Sequence, residues 1–324
     1  MELPAKLREA ISALLEGVSR TTLAERAARM SGQYRAGGTT ACAVRDRSDA
    51  LAYLVSRLPA TYAAVRQVFS RLQERCPAFI PQSILDLGSG PGTASWAAVD
   101  TWPRIEAVTQ IDRNDSLLQL GAAIADLAGR EVLRNARRIP EDIVQEPASG
   151  LSAELVIISY TLAELRRDEI SNLLQSLWPR CMGALVVVEP GTPSGYARVL
   201  DARKLLLDHS ARILAPCPHQ LPCPLAPPDW CHFVQRLSRS RDQLMLKSAA
   251  LSYEDEKFSY LVAVREELFT AAKKSRVLAK PEVGKAAVVA KLCKADGSYG
   301  FISIARRDRE AYNQAKKKTW GGEL

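Results

Sequence analysis

The sequence predicts an α/β fold: a mostly parallel sheet with helices on both faces, preceded by an N-terminal helical region. Three observations predict it. From residue 83 short apolar runs alternate with helix-patterned stretches, the order expected of a parallel sheet covered on both sides. The first of those runs ends in closely spaced glycines, the mark of a strand that turns tightly into a helix. Before residue 80 the apolar residues instead recur at helical spacing.

Taken in order, MELPAKLREAISALLEG reads as an amphipathic helix. It has no continuous apolar core and no small-residue cleavage site, and Glu2, Glu9 and Glu16 argue against a transit peptide, so a cytoplasmic location is expected. Residues 34–48, YRAGGTTACAVRDRS, read as a loop. Residues 48–74 return to helical spacing with Arg between the apolar positions, and Pro59 marks a helix start or a kink. Strands are expected in SILDL, IEAVTQID, ELVIISY and GALVVVE, with helices in SLLQLGAAIADLAG and RDEISNLLQSLWPR between them. FSYLVAVREE, KAAVVAKLC and YGFISIARR are expected to complete the sheet or build onto its edge. The chain thus divides into a helical region at 1–80 and a domain at 81–324, with a Cys/Pro-rich insertion at 210–235 and a basic segment at 270–324.

Composition excludes some classes. With 324 residues, 47% hydrophobic and 25% charged, the mixture is that of a globular protein. No apolar run is long enough to span a bilayer, so no membrane partner is expected. The net charge of +8 is concentrated: residues 270–324 hold thirteen Lys/Arg and five Asp/Glu, leaving the rest neutral. A basic end on a neutral body points to a polyanion, most simply nucleic acid, although a solvated tail has the same composition. Lys273, Lys274, Arg276, Arg306, Arg307, Arg309 and Lys316 to Lys318 are the expected phosphate contacts. Trp230 and Phe233 are either base-stacking or core residues.

The glycine loop DLGSGPG carries Asp86, Gly88, Ser89, Gly90 and Gly92. Its G-x-G-x-G spacing differs from the dinucleotide pattern G-x-G-x-x-G. It resembles the loop of class I S-adenosylmethionine methyltransferases, which implies a class I methyltransferase-like (Rossmann-like) sheet. In that resemblance the five loop residues hold the ligand, the acid binds its ammonium directly or through water, and Asp112 accepts hydrogen bonds from the ribose hydroxyls. Glu141 or Asp142 would lie near the adenine. A domain that keeps the loop without the ligand is the alternative. At the end of the ELVIISY strand, SYTLAEL has neither the Pro-Pro pair of nitrogen methylation nor the cysteine of pyrimidine methylation. No catalytic residue is assigned, and Glu164 reads as a cap or surface residue rather than a base.

Residues 215–233, APCPHQLPCPLAPPDWCHF, gather three cysteines, two histidines and six prolines. The prolines forbid a helix or central strand. C-x5-C-x7-C is neither a zinc knuckle nor a ferredoxin run, but an all-thiolate set suits iron–sulfur or zinc and excludes hard cations. His219 or His232 would replace a cysteine in a zinc site. Cys42, Cys76 and Cys181 read as ordinary thiols.

Several segments together carry a wider resemblance: YR at 34–35, AYLVSRLPATYAAV, ILDLGSGPGTASWA, SYTLAEL, EPGTPSGY, APCPHQLPCPL, DWCHF and KFSYLVAVRE. The combination resembles the methyltransferase-like proteins associated with the mitochondrial small ribosomal subunit, which have bacterial relatives. The likeness runs from Tyr34 to WGG at 320–322. It implies an S-adenosylmethionine site and association with small-subunit rRNA during ribosome assembly or translation. It also implies a 4Fe-4S cluster, with zinc as the alternative, on Cys217, Cys223, Cys231 and Cys293. Two other readings are an active rRNA methyltransferase and a cluster-based redox or iron sensor that gates RNA binding.

Overall fold

A computed structural model describes residues 1–35, 40–145, 150–272 and 274–324; the side chains of residues 34, 35, 41 and 42 also lie outside the description. The expected phosphate contact at Lys273 and the thiol of Cys42 therefore fall outside it.

The N-terminal helices are α1 (Ala5–Leu14), α2 (Arg20–Arg35), α3 (Thr40–Ala43), α4 (Arg47–Ser56) and α5 (Leu58–Arg75). Thr40–Ala43, inside the stretch read as a loop, forms one helical turn. Pro59 sits in the first turn of α5, where its missing N–H costs nothing. Asp46 caps α4 by accepting from the Asp49 N–H at 2.8 Å. Asp49 is itself buried and accepts from Arg26 at 2.7 Å and Arg29 at 2.6 Å. Burial pushes its carboxyl up, but hydrogen bonds from the two arginines and from the Arg45 N–H more than offset this and leave it below its ordinary value. These ion pairs pin α2 to α4.

The alternating region follows as β1 (Ser83–Leu87), α6 (Thr93–Thr101), β2 (Ala107–Ile111), α7 (Asp115–Leu127), α8 (Glu131–Arg134), β3 (Arg137–Ile139), β4 (Ala153–Ser159), α9 (Arg167–Leu177), β5 (Cys181–Pro190) and α10 (Pro193–Asp208). It continues as β6 (Arg212–Ala215), β7 (Phe233–Ser238), α11 (Arg241–Leu246) and β8 (Tyr253–Val264). The described strands form a sheet in the order β3-β2-β1-β4-β5-β8-β6, with β7 also paired to β8. β3 to β5 are parallel; β8 runs antiparallel to β5, β6 and β7. The two-residue period of each strand divides its side chains between two cores. Ile84, Leu155, Ile157, Val186 and Val262 face the layer containing α1 and α4 to α7. Leu85, Val156, Ile158, Val187 and Leu261 face the layer containing α9 and α10.

One sequence expectation is corrected. FSYLVAVREE joins the main sheet as part of β8, but KAAVVAKLC and YGFISIARR do not. β9 (Arg276–Val277), β10 (Glu282–Val283), β11 (Ala287–Cys293) and β12 (Tyr299–Ala305) form a separate antiparallel sheet, followed by α12 (Arg309–Lys316). The reason is that β8 is already paired on both edges, by β5 on one side and by β6 and β7 on the other. The small sheet has a thin core of Val277, Ala290 and Leu292, packed by Ile302 and Leu324.

Candidate functional site

The strand order reverses between β1 and β4, and the C-terminal ends of those strands open the crevice where open α/β sheets bind ligands. Gly88 and Gly90 come from the loop after β1; Ser159, Tyr160 and Thr161 come from the end of β4. With Asp112, Arg113, Leu117, Glu141, Asp142 and Ile143 they line one cavity. The loop is held by the Gly88 and Ser89 N–H groups, which donate to the Ile111 carbonyl at 2.8 and 3.1 Å. Its glycines are not equivalent. A Cβ at Gly88 would run into Thr161, and one at Gly92 into Gln110. At Gly90, φ is +54° and a Cβ would approach only Leu117 Cδ1, at 3.8 Å. Gly90 is thus the glycine whose bareness leaves the cavity open rather than serving the packing of the loop.

Six residues were expected to hold a ligand here. Gly88, Gly90 and Asp112 line the cavity, whereas Asp86, Ser89 and Gly92 do not. Asp112 accepts from the Gly90 N–H at 2.7 Å through Oδ2 and from the Asn114 N–H at 2.8 Å through Oδ1. A carboxylate has further lone pairs for ligand hydroxyls. Burial pushes its carboxyl upward despite these two donors. Glu141 and Asp142 do lie on the cavity wall.

Asp86 faces inward. It is 1% exposed, and Oδ2 accepts from the Ser95 N–H at 3.0 Å and Oγ at 2.6 Å. It holds the first turn of α6 under the loop, while Oδ1 has no hydrogen-bond partner. Burial pushes the Asp86 carboxyl up to about 6, against the lowering effect of Ser95. An unfolded Asp titrates near pH 4, so between about pH 4 and 6 the folded chain holds a proton the unfolded chain has lost. The resulting stability is fully present below about pH 4 and is lost as pH rises through about 6. For a shift of this size the loss is roughly 3 kcal/mol. Asp86→Asn keeps an acceptor for Ser95 and removes the ionisation, so its unfolding midpoint in urea is expected to lack this decline. Equal pH dependence in variant and wild type would rule Asp86 out as its source.

Glu164 is neither a free surface group nor a helix cap. One carboxylate oxygen accepts from the Thr40 N–H at 2.9 Å and from the Thr40 hydroxyl; the other accepts from Arg113 at 3.0 Å. It ties the N-terminal helices across the mouth of the crevice. A second cavity of about 490 Å³ shares Thr40, Tyr53, Tyr160 and Glu164 with the first and adds Arg57, Thr61, Ser194, Arg198 and Glu256. Tyr160 has a left-handed φ of +58°, a strained conformation for a bulky residue, and its hydroxyl donates to Glu256 at 2.8 Å. Glu189, at the end of β5, is buried against Arg198 at 2.7 Å and accepts from the Leu162 N–H at 3.0 Å. Sequence reasoning missed the roof residues Thr40, Tyr53 and Arg57, because no local motif marks helical residues that reach a site only through tertiary packing.

The four cysteines come together at another place. Cys217, Cys223 and Cys231, between β6 and β7, line a mostly apolar cavity with Cys293 at the end of β11. Burial first, then the charges of the other three sulfurs, push the Cys231 thiol well up; burial pushes Cys293 up to about 12. Tyr196 Oη lies 3.1 Å from Cys223 Sγ, and His219 Nε2 lies 3.4 Å from Cys293 Sγ. Two arginines share the wall: Arg203, which the sequence did not single out, and Arg276, which it offered as a phosphate contact. Arg203 is 4% exposed and donates to the His219 and Leu221 carbonyls. Arg276 is 2% exposed and donates to the Pro216 and Gly321 carbonyls and to Glu323. Arg276 is therefore not a phosphate contact, because its charge is used inside the protein. Phe233 is buried against Phe258 and Tyr260, so its ring is not offered to bases; Trp230 is half-buried, stacks on His232 at 5.0 Å and donates its indole N–H to the Gly191 carbonyl. Among the described residues no three His, Cys, Asp or Glu side chains converge closely enough to hold a single metal ion.

Five strands in the order 3-2-1-4-5, an antiparallel strand beyond them, and a glycine loop with an acid after β2 define a class I methyltransferase-like fold. A family model described as mitochondrial small ribosomal subunit Rsm22 matches residues 47–324, and the chain belongs to that family. The human ribosome assembly protein METTL17, mitochondrial, is 29% identical over 287 residues, 84% of this chain and 61% of that protein. Rsm22-cox11 tandem protein 2, mitochondrial, of Schizosaccharomyces pombe is 30% identical over 194 residues, 54% of this chain and 25% of that protein. The chain thus spans less than two thirds of the length of either relative. Among solved structures, the plantazolicin methyltransferase BpumL in complex with SAH superposes with a TM-score of 0.41 at 14% identity, covering 80% of this chain and 99% of that one. No helix among the described residues is long and apolar enough to cross a membrane.

Proposed function

We propose that this protein binds S-adenosylmethionine in the glycine-loop crevice, carries a 4Fe-4S cluster on Cys217, Cys223, Cys231 and Cys293, and associates with the rRNA of a small ribosomal subunit as an assembly factor. The observation that carries the reading is the meeting of four thiols, three from the insertion and one about sixty residues later, around one cavity with two buried arginines. Four thiolates around a dicationic core sum to a dianion, and the buried guanidinium groups of Arg203 and of Arg276, which also pairs with Glu323, place positive charge beside it. A set of four thiolates suits an iron–sulfur cluster or zinc and excludes hard cations. Membership of a small-subunit family and similarity to a ribosome assembly protein support the ribosomal partner.

The crevice fits S-adenosylmethionine by the same kind of test. Gly90 leaves the cradle open, Asp112 presents a buried acceptor, and Leu117 and Ile143 offer an apolar wall. When bound, the ligand supplies an electrophilic methyl group. The chain's own contribution would be to orient it and to exclude water beneath the Thr40–Glu164 bridge. The neighbouring cavity with the Tyr160–Glu256 pair favours a second reading, an active rRNA methyltransferase, since it leaves room for an acceptor. Transfer of labelled methyl groups to small-subunit rRNA tests that reading.

The cluster is tested by purification without oxygen and by counting metals. About four irons and four sulfides per chain, with a brown colour, are expected. One zinc and no sulfide would overturn the cluster while keeping the four-thiolate clamp.

A further inference from the structure

The small sheet leaves two aromatic rings exposed beside its contact with the cysteine-rich insertion. Along β12 alternate residues point to opposite sides. Ile302 packs into the thin core of the small sheet, while Tyr299 and Phe301 point the other way and are 38% and 71% exposed. Lys291, opposite Phe301 on β11, places its ammonium 5.6 Å from the Phe301 ring centre and 5.8 Å from that of Tyr299. Asp229 holds that ammonium in place at 2.6 Å. Two neighbouring exposed rings with a fixed cation between them are not scattered surface apolarity.

The other end of the same hairpin is basic. Lys285, Arg306, Arg309 and Lys316 line an open concavity of about 560 Å³ with Tyr312 and Asn313. Among the described residues none of these four cations forms an ion pair with a carboxylate. From Arg306 to Lys318 six cations stand against two acids, Asp308 and Glu310. Arg306 lies five residues, roughly 17 Å, beyond Phe301 and on the opposite side of the strand, but β12 is an edge strand of the small sheet, so a few nucleotides passing over that edge reach both.

We propose that this surface binds a single-stranded RNA segment, with Phe301 and Tyr299 stacking on unpaired bases and Lys285, Arg306, Arg309 and Lys316 holding the phosphates. The inference rests on the reading of an RNA partner and adds to it the contact surface and the strandedness. Duplex bases are already stacked and paired, so exposed rings select a single strand. Aromatic stacking with a tracking row of cations is the usual basis of sequence-tolerant single-strand binding.

The test uses the full chain and a fluorescently labelled twelve-nucleotide single-stranded RNA. Phe301→Ala is expected to weaken binding roughly ten-fold or more. Phe301→Trp should retain affinity and show quenched fluorescence on binding. Lys285→Glu combined with Arg306→Glu should lower the salt dependence by roughly 0.7 log unit per log unit of salt for each lost phosphate contact. Phe301 is largely exposed, so its substitution leaves folding unaffected. Wild-type binding with no loss in Phe301→Ala would overturn the stacking surface and leave the RNA reading standing. Absence of any RNA binding by the wild type would overturn that reading itself. Competition by polyglutamate as strong as by RNA, or equal affinity for a duplex, would also count against the proposal.

Discussion

Replacing Cys231 by serine is expected to give a colourless protein without iron or sulfide, whose residues 276–305 exchange backbone hydrogens far faster than in the wild type. Cys231 is the thiol that feels the charges of all three other sulfurs, and a serine hydroxyl is a poor ligand for a soft centre. The effect should be large because the small sheet has only a thin core of its own. Its core is Val277, Ala290 and Leu292 with two partly buried neighbours, and its links to the main body include Arg276 on the Pro216 carbonyl and Lys291 on Asp229. Structural metal centres in small motifs contribute on the order of 10 kcal/mol. In the proposed cluster Cys293 would tie the small sheet to the insertion, so its loss would release the sheet that carries the basic residues. Cys181→Ser serves as the control, since that thiol is fully buried on β5 within the other core layer. Unchanged metal content and unchanged exchange in Cys231→Ser would remove the cluster from the proposal.

The second large effect is expected at Gly90. Gly90→Asp should abolish S-adenosylmethionine binding, weakening it at least a hundred-fold by calorimetry, while thermal unfolding shifts little. Asp is among the few residues that tolerate a left-handed backbone, and the space at Gly90 accepts a Cβ without a clash. The new carboxylate would stand beside Asp112 and fill the cradle with like charge. Gly88→Asp makes the contrast: its Cβ meets Thr161, so that variant should fail to fold correctly. Full retention of binding in Gly90→Asp would show that the crevice does not take the ligand in this way.

Much of the fold was legible because each part of it has a local signature. The alternation of apolar runs and helical stretches from residue 83 marks β1 to β5, since strands buried on both faces must be continuously apolar. The DLGSGPG loop is legible because its turn demands glycine at Gly88, Gly90 and Gly92, all with positive φ. Less legible was the destination of β11 and β12. Their alternating pattern suits any antiparallel sheet, and only the pairing of both β8 edges sends them elsewhere.

The sequence by itself determined the class of sheet, the position of its glycine loop, and the segments that hold the thiols, because periodicity, turn chemistry and residue type are local properties. The tertiary structure alone decided which of the candidates act together. It turned Asp86 inward to hold α6 and left Asp112 and Gly90 at the crevice. It buried Arg276 beside four cysteines and left Phe301 in solvent. Charge and aromaticity are properties of a residue. Whether they face a ligand, a neighbour or water depends on how segments far apart in the chain pack, which no local pattern records.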